Sequence, residues 1–369
     1  MKILVTGSNG FIAKNLIVEL RNRGYEDLML CNRDTSMEEL ERYIEKCDVL
    51  VHLAGVNRPL REEEYYIENV GFTEKLIKLL ENNHKKICML FSSTIHTGRH
   101  KCYEESKQQG EKILQEYARG SGSSLFIFRL PNVFGKWCRP NYNSVVATFC
   151  YNVSHGLDIK VNDPDARMNL VYIDDVVNGF ISCIDRGSEA ASEYVEISQS
   201  YQTTVGEVAQ AIMSFKQGRE QLEMPYVGNP LLKRLYSTYL SYMEPEAYRY
   251  ELKMNIDARG SFTEFLRSQN FGQVSVNVAK PGVVKGNHWH HTKVEKFLVV
   301  KGKASIKFRH IITGRVIEYI VSDQKLEVVD IPVGYTHNIM NIGTEDLVTI
   351  IWANETFDKD RPDTYYEEV

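Results

Sequence analysis

The chain has 369 residues, of which 43% are hydrophobic and 25% are charged, and its formal net charge is −5. An ordinary domain has roughly 150 residues and α/β domains often reach about 250, so we expect two domains. The composition is that of a globular protein without the basic excess that nucleic-acid binding needs, so we expect no nucleic-acid partner.

The first residues form a short apolar run that ends at Gly7. This run lacks the charged start, long apolar stretch and cleavage site of a signal peptide. No run in the sequence approaches the roughly 18 apolar residues of a membrane span. The 7 cysteines are scattered and form no CxxC pair, which is typical of reduced thiols. We therefore predict a cytoplasmic protein without a membrane partner.

The first half of the sequence alternates apolar runs of strand length with amphipathic helical stretches. The predicted strands are residues 2–6, 27–31, 48–53, 87–92 and 125–129, and the predicted helices are residues 11–23, 37–45, 67–82 and 103–118. Such alternation predicts a doubly wound parallel sheet that is covered by helices.

A glycine turn joins the first predicted strand to the first predicted helix, in the sequence KILVTGSNGFIA. Gly7 permits a tight turn, Gly10 lets a pyrophosphate approach the backbone, and the free amides of the new helix bind anionic oxygens. Ala13 stands in place of a third glycine and is small enough for helix packing. Such turns also occur without a ligand, and that alternative stays open. The predicted cofactor-binding residues here are Gly7, Asn9, Gly10, Phe11 and Ile12.

The second predicted strand ends in Cys31, Asn32 and Arg33, where an acidic residue would hold the ribose of NAD. A guanidinium at this place favours the additional phosphate of NADP. We therefore predict NADPH as the cofactor, with Asn32 and Arg33 as contacts. The alternative is that Arg33 is a solvated loop residue.

Tyr103 and Lys107 lie four residues apart on a predicted helix, which places a phenol and an ammonium on one face. A neighbouring cation stabilises a phenolate and lowers its pKa from about 10, as a proton donor requires. This spacing is also common by chance. Ser93 and Thr94 add weight, because they end a predicted strand at the sheet edge where such folds bind ligands.

These motifs together resemble the extended short-chain dehydrogenase/reductase family over roughly the first 245 residues. The resemblance also rests on Asp48 with HLAG at residues 52–55, RLPNVFG at 129–135 and VYIDDV at 171–176. The family implies a nucleotide-sugar substrate, Tyr103 as proton donor and Lys107 on the nicotinamide ribose. It implies that Thr94, or its neighbour Ser93, orients the reacting carbonyl. It further implies cofactor contacts at Leu53, Ala54 and Gly55. Residues 95–98 depart from the family pattern.

From about residue 254 the predicted elements are short, β-branched strands separated by turns. They are residues 274–278, 296–300, 304–309, 316–321, 326–331 and 347–352. This pattern predicts an all-β sandwich or barrel. We interpret residues 216–250 as the last helices of the first domain and a short connection. The predicted domains are therefore residues 1–246 and 247–369.

Four residues of this second half form a candidate metal site: His288, His290, Glu295 and His337. On a strand, His288 and His290 leave the same face and can converge on one ion. Imidazole and carboxylate ligands suit Zn²⁺ or another divalent transition metal. The alternative is a metal-free barrel in which these histidines are hydrogen-bonded core residues.

The spacing of Gly282, His288, His290, Glu295 and Gly302 is similar to the first motif of the cupin family. The second motif is matched at Pro332, Gly334, His337 and Asn341. Residues 254–272 resemble cupin-type epimerases of keto-deoxy nucleotide sugars, which implies a cupin β-barrel. Epimerisation beside a ketone needs a base and an acid, for which His291, Lys296 and Tyr335 are candidates.

Both resemblances imply a UDP-linked keto-deoxy amino sugar as the substrate. We predict that the cupin domain epimerises C3 and that the first domain then reduces the C4 ketone with NADPH. The domain order resembles that of bifunctional capsular polysaccharide enzymes, which implies UDP-2-acetamido-2,6-dideoxy-L-talose as the product and a homodimer. One alternative is a reductase whose cupin is only a metal-stabilised dimerisation module. Another is a nucleotide-sensing protein without activity.

Overall fold

The computed structural model describes residues 1–95, 101–189 and 192–369, so the predicted departure at residues 96–98 lies outside the described residues. The chain forms two compact units. The first consists of Met1–Met213 and Arg234–Glu244, and the second of Ser214–Lys233 and Pro245–Val369.

The first unit is built around a parallel sheet of six strands in the order β2-β1-β3-β4-β5-β8. Its strands are β1 (Ile3–Thr6), β2 (Leu28–Cys31), β3 (Val49–His52), β4 (Cys88–Thr94), β5 (Ser124–Leu130) and β8 (Glu193–Val195). A small second sheet contains β6 (Asn132–Phe134), β7 (Arg167–Tyr172) and β9 (Tyr201–Thr204). In this sheet β2 lies on one side of β1 and β3 on the other, so the strand order reverses direction at β1. The glycine turn that follows β1 therefore lies at the switch point where such folds bind ligands.

Helices cover both faces of the six-stranded sheet. They are α1 (Phe11–Asn22), α2 (Met37–Lys46), α3 (Glu63–Tyr65), α4 (Gly71–Asn82), α5 (Lys101–Ser121), α6 (Val145–Ser154) and α7 (Ile173–Arg186). Successive β1 residues enter different cores: Ile3 packs with Leu16 of α1, and Leu4 packs with Leu76 of α4. Because side chains alternate along a strand, the sheet is buried on both faces. The predicted doubly wound fold is confirmed.

Five further helical segments occur among the described residues. They are a π-helical turn (Tyr66–Val70), a 3-10 helix (Gly187–Glu189), α8 (Val205–Gln221) and α9 (Pro230–Leu240), followed by a second 3-10 helix (Pro245–Tyr248). The predicted helix over residues 67–82 is therefore α-helical only from Gly71.

The second unit consists of antiparallel strands in two sheets. One sheet has the order β10-β11-β12-β19-β14-β17 and the other β16-β15-β18-β13-β20. The strands are β10 (Asn255–Asp257), β11 (Gly260–Ser268), β12 (Gly272–Ala279), β13 (Val284–Trp289), β14 (Glu295–Lys301), β15 (Lys303–His310), β16 (Val316–Ser322), β17 (Val328–Ile331), β18 (Tyr335–Asn341), β19 (Leu347–Ala353) and β20 (Tyr365–Tyr366). Phe297, Ile306 and Ile339 contribute a shared core from both sheets. The predicted all-β fold is confirmed, although the described strands form two sheets and not a closed ring.

The chain between α8 and α9 pairs with a strand of the second unit. Arg267 of β11 donates its backbone N–H to Leu222 O, and Met224 donates to Arg267 O, each at 2.8 Å. Ser214–Lys233 is therefore part of the second unit, which we did not predict from the sequence. The reason is physical, since such a pairing joins residues more than forty positions apart and leaves no local pattern. The predicted boundary after residue 246 stays a prediction.

Candidate active site and metal centre

The first unit contains a cavity of about 920 Å³ at the carboxyl edge of the parallel sheet. Most of the residues predicted for cofactor binding and reduction line this cavity. They are Gly7, Asn9, Gly10, Phe11, Ile12, Leu53, Gly55, Ser93, Thr94, Tyr103 and Lys107. The fold thus brings together the glycine turn, the loop after β3, the end of β4 and the start of α5.

The glycine turn has the geometry of a phosphate cradle. Gly7 has φ +66°, and a Cβ at this position would lie 2.8 Å from backbone atoms of Ala54. Only glycine therefore fits there without strain. Gly10 is the N-cap residue of α1 and has no side chain that could accept a hydrogen bond. The first backbone amides of the helix, which lie at the edge of the cavity, are therefore not paired with a capping side chain. These residues fit the pyrophosphate of a dinucleotide.

Asn32 and Arg33 follow β2, the neighbour of β1, and do not line the cavity. The Arg33 side chain is exposed, and Asn32 Oδ1 accepts from the backbone N–H of Asp34 at 2.7 Å. They lie at the end of the strand next to β1, and their contact with NADPH stays a prediction.

Burial dominates the electrostatics of Tyr103 and Lys107. Lys107 is 4% exposed, and its Nζ lies 4.2 Å from the centre of the Phe91 ring. Burial lowers the pKa of Lys107 to about 7. Burial, and next the neighbouring Tyr65, raise the pKa of Tyr103 to about 12. The lowered phenol pKa that we expected is wrong for this structure, because burial and the neighbouring Tyr65 both disfavour the phenolate.

A buried ammonium lowers stability at low pH. The unfolded pKa of lysine is about 10.4, whereas that of Lys107 is about 7 in the folded chain. Between these values the unfolded state binds more protons, so stability rises with pH there and the penalty is complete below pH 7. We expect Lys107→Met to raise the melting temperature at pH 6 and to abolish reduction. A scanning-calorimetry gain that does not shrink towards pH 10 would contradict this account.

The two hydroxyls at the end of β4 differ in their partners. Ser93 Oγ is buried without a hydrogen-bond partner, whereas Thr94 Oγ1 donates to Ile95 O at 3.3 Å. Both line the cavity. Either hydroxyl can donate to a carbonyl oxygen, so the assignment of this role to Thr94, with Ser93 as the alternative, stays a prediction.

A buried network connects β1 to the loop beside Tyr103. Thr73 Oγ1 donates to Asn69 O at 2.6 Å, so it accepts from His52 Nε2 at 3.0 Å. His52 Nδ1 then accepts from Thr6 Oγ1 at 2.8 Å, and Thr6 accepts from the backbone N–H of Ala54. Burial, and next Lys107, lower the pKa of His52 to about 3, so the ring is neutral.

Asn69 extends this network to α5, the helix that carries Tyr103 and Lys107. Its carboxamide accepts from Val56 N at 2.8 Å and donates to Ser106 Oγ at 3.0 Å, and Ser106 donates to Tyr103 O at 2.8 Å. Asn69 therefore fixes the loop after β3 against α5. Sequence reasoning missed it, because its only signal is one polar residue in a buried helical face.

The second unit contains a cavity of about 670 Å³ between its two sheets. His288, Glu295 and His337 line it, together with polar residues of β12 and β13. The predicted metal ligands therefore lie beside a space large enough for part of a sugar nucleotide.

The four predicted metal ligands converge. One ligand atom from each of His288, His290, Glu295 and His337 lies within 4.8 Å of the others. Glu295 Oε2 is 3.3 Å from His337 Nε2 and 3.7 Å from His290 Nε2. Burial alone raises the pKa of Glu295, but the neighbouring His290 and His337 outweigh it and hold the carboxyl ionised. Burial lowers the pKa of His288 to about 4, which keeps that ring neutral.

The donor set fits a divalent metal ion. His290 Nδ1 donates to Asp363 O at 2.6 Å, which leaves Nε2 as a lone-pair donor. His290 Nε2 and both ring nitrogens of His337 are buried without a hydrogen-bond partner. Buried polar atoms without partners are expensive, and an ion would satisfy them. Three imidazoles and one carboxylate are ligands that suit Zn²⁺ or another divalent transition metal.

Asp363 orients this cluster from a distant part of the sequence. Its carboxylate accepts from the backbone N–H groups of His291, Thr292 and Lys293 at 2.8–3.0 Å. Its φ of 38° is unusual for a residue other than glycine. The loop that carries His290 is therefore held from the C-terminal segment, which sequence spacing does not indicate.

A β-bulge turns Lys285 into the same cavity as His288. Residues an odd number apart on a regular strand face opposite sides, but the register of β13 shifts between Gly286 and His288. Gly286 has φ +103°, and a Cβ there would lie 2.8 Å from His337 O. Bulges of this kind redirect side chains towards sites. Lys285 lines the cavity for this reason, which no local sequence pattern indicates.

The three candidate residues for epimerisation lie elsewhere. His291 is exposed and its ring packs 4.5 Å from that of Trp289. Lys296 is exposed and paired with Asp330. The ring of Tyr335 packs 4.8 Å from that of His310. None of the three is among the described residues that line the cavity.

Two family models match the chain. The NAD dependent epimerase/dehydratase family matches residues 3–197, and the polysaccharide biosynthesis C-terminal domain matches residues 255–365. The first match covers more than half of the sequence. The chain belongs to the NAD dependent epimerase/dehydratase family.

Full-length relatives share both units. The chain is 43% identical over 365 residues to the UDP-2-acetamido-2,6-beta-L-arabino-hexul-4-ose reductase of Pseudomonas aeruginosa, covering 99% of this chain and 98% of that protein. It is similar to the crystal structure of the capsular polysaccharide assembling protein CapF from Staphylococcus aureus, with 47% identity, a TM-score of 0.92 and complete coverage of both chains. The UDP-glucose 4-epimerase of Thermus thermophilus shares the fold, with 18% identity, a TM-score of 0.53 and coverage of 66% of this chain and 99% of that chain.

No helix among the described residues is both long enough and apolar enough to cross a membrane.

Proposed function

We propose that this protein is a bifunctional nucleotide-sugar enzyme of capsular polysaccharide synthesis. The second unit epimerises a UDP-linked 4-keto-6-deoxy-N-acetylhexosamine at C3. The first unit then reduces the C4 ketone with NADPH, which yields UDP-2-acetamido-2,6-dideoxy-L-talose, a precursor of N-acetyl-L-fucosamine. The similarity to the Pseudomonas aeruginosa reductase and to CapF supports this substrate class.

One observation carries the proposal: the first cavity combines a dinucleotide cradle with a proton donor. The glycine turn, Tyr103, Lys107 and the hydroxyls of Ser93 and Thr94 all line it. A phenol with a pKa of about 12 is protonated at neutral pH, as a donor to a developing alkoxide must be.

For reduction, the glycine turn with Gly7 and Gly10 would hold NADPH, which would supply a hydride to C4 of the sugar. Tyr103 transfers its phenolic proton to the ketone oxygen, which becomes the C4 hydroxyl. Thr94, or Ser93, donates a hydrogen bond to the same oxygen and orients it. The Lys107 ammonium stabilises the resulting phenolate, because the attraction between the two charges is strong where water is excluded.

For epimerisation, a ketone at C4 acidifies the C3 proton, and a base and an acid must exchange it through an enolate. The described residues that line the second cavity do not include His291, Lys296 or Tyr335. We therefore assign the base and the acid of this step to residues that line the cavity. His288, His290, Glu295 and His337 would hold Zn²⁺, which supplies cross-linking of the strands and positive charge. We propose the cross-link as its main role.

NADPH absorbance tests the proposal directly. The full-length protein with UDP-4-keto-6-deoxy-N-acetylhexosamine should oxidise NADPH with the formation of a C4 hydroxyl, which NMR of the product identifies. No oxidation with any UDP-linked 4-keto sugar would overturn it.

Arg33 is proposed to select NADPH over NADH. The guanidinium binds the 2′-phosphate of NADPH, which NADH lacks. We expect Arg33→Ala to raise KM for NADPH roughly tenfold, as the loss of one charged hydrogen bond predicts, and to leave KM for NADH unchanged. Steady-state kinetics with both cofactors measure this. An equal effect on both cofactors would contradict the assignment.

A second candidate function keeps the reductase and makes the second unit a metal-stabilised dimerisation module. Exposed apolar side chains on β16 and β17 favour it, namely Val316, Tyr319, Ile320 and Val328, each at least 50% exposed. Exposed apolar side chains of this kind fit contact with a second copy. In this case the protein would catalyse no proton exchange at C3.

A further inference from the structure

Asn277 presents a fixed hydrogen-bond donor to the second cavity. The residue lies on β12, lines the cavity and is 2% exposed. Its Oδ1 accepts from Lys285 Nζ at 2.9 Å. An ammonium can only donate, so the atom that faces Lys285 is the oxygen and the amide orientation is settled. The other end, Nδ2, is buried without a hydrogen-bond partner.

Lys285 holds this orientation in place. Besides Asn277 Oδ1, its Nζ donates to Val278 O at 2.7 Å and to Ser261 O at 3.3 Å. These contacts connect β13 of one sheet to β11 and β12 of the other. A flip of the Asn277 amide would place two donors face to face, so Lys285 keeps the NH₂ group of Asn277 turned away from it.

No hydrogen bond from the NH₂ group of Asn277 is formed to any described residue. Thr349 lies opposite Asn277 in the strand register, and its Oγ1 is likewise buried without a partner. Gln273 and Ser275, which line the cavity from the same strand, are bonded to each other at 3.1 Å. A buried donor without a partner loses its hydration without compensation, which natural proteins tolerate chiefly at sites of function.

We propose that the NH₂ group of Asn277 donates a hydrogen bond to an oxygen of the nucleotide sugar in this cavity, with Lys285 as its positioning residue. The inference rests on the proposed function, in which this cavity receives the substrate. Hydroxyl, carbonyl and phosphate oxygens of a sugar nucleotide are all acceptors, which is the chemistry that a fixed donor selects.

Asn277→Asp separates a donor role from a structural one. The carboxylate has the same shape and still accepts from Lys285, but it donates nothing at neutral pH. We expect kcat/KM for deuterium exchange at C3 to fall roughly 10- to 100-fold, mainly through KM, as the loss of one buried hydrogen bond predicts. Thr349→Val is the matched control, because it removes a buried hydroxyl from the opposite strand outside the cavity lining. It should leave the exchange rate unchanged.

If Asn277 only held Lys285, Asn277→Asp would retain the wild-type rate, and that result would overturn the proposal. The double variant with Lys285→Met should be no slower than Lys285→Met alone, since the donor is no longer positioned. Additive losses would overturn the positioning role. Melting temperatures of all variants identify any that fail to fold.

NMR tests the same contact without any chemistry. In full-length protein labelled with ¹⁵N-asparagine, the Asn277 side-chain signal is the one lost in Asn277→Asp. We expect it to shift when UDP-4-keto-6-deoxy-N-acetylhexosamine is added without NADPH. A signal that does not move at saturation would overturn the proposal. A shift without exchange at C3 would retain the contact and reject the epimerase function, so the two failures are distinguishable.

Discussion

Replacing Tyr103 by Phe should abolish NADPH oxidation and leave proton exchange at C3 intact. The variant loses only the phenolic proton that the ketone oxygen receives, and proton donors of this kind contribute about 10²- to 10⁴-fold to a rate. The raised pKa of about 12 means that wild-type Tyr103 keeps its proton at neutral pH. NADPH absorbance measures the first effect, and deuterium incorporation without NADPH measures the second.

Tyr117→Phe is the matched control for this experiment. Tyr117 lies on the same helix, and its hydroxyl donates to Lys85 O outside the cavity. Its loss should leave NADPH oxidation unchanged apart from a small change in stability. A Tyr103→Phe variant that oxidises NADPH at the wild-type rate would remove Tyr103 from the mechanism and favour a non-catalytic role for the first cavity.

Removing the metal should destabilise the second unit strongly. An ion that binds only the folded state adds about 2.7 kcal/mol when its concentration is one hundred times its Kd. Without it, His290 Nε2 and both ring nitrogens of His337 stay buried without a hydrogen-bond partner. We expect a zinc chelator to lower the melting temperature by several degrees, as calorimetry measures.

His337→Ala and His291→Ala form a matched pair for the metal experiment. His337 is 1% exposed within the cluster, whereas His291 is exposed and outside it. The chelator should have no further effect on His337→Ala and its full effect on His291→Ala. An equal chelator effect on both variants would place the ion elsewhere. If exchange at C3 survives chelation while stability falls, the ion acts as a cross-link and not in the reaction.

The parts of this protein that sequence predicts well are those whose chemistry is local. Gly7 and Gly10 lie within one turn, and Tyr103 and Lys107 within one turn of helix, so a short motif specifies their geometry. The alternation of strands and helices indicated the parallel sheet for the same reason, because each period is local. His288 near the end of β13 and His290 just after it are also close in sequence, so their convergence is local as well.

The parts that the sequence did not reveal depend on distant backbone geometry. Lys285 faces the cavity only because a bulge at Gly286 breaks the alternation of β13. Asp363 holds the loop of His290 from 73 positions away. In the sequence Asn277 is one polar residue of a strand, and its role depends on the hydrogen bond from Lys285, which only the folded structure shows. Alternation also cannot tell which way a strand faces, which is why Lys296, predicted for the site, is exposed and paired with Asp330.

The most direct test of the two-step account is deuterium exchange in the full-length protein. UDP-4-keto-6-deoxy-N-acetylhexosamine is incubated with the protein in D₂O without NADPH, and the C3 position is followed by NMR before NADPH is added. We predict that deuterium enters C3 first and that one equivalent of NADPH is then consumed as the C4 ketone disappears. Reduction of the ketone with no deuterium at C3 would contradict the account and leave the second unit without a catalytic role.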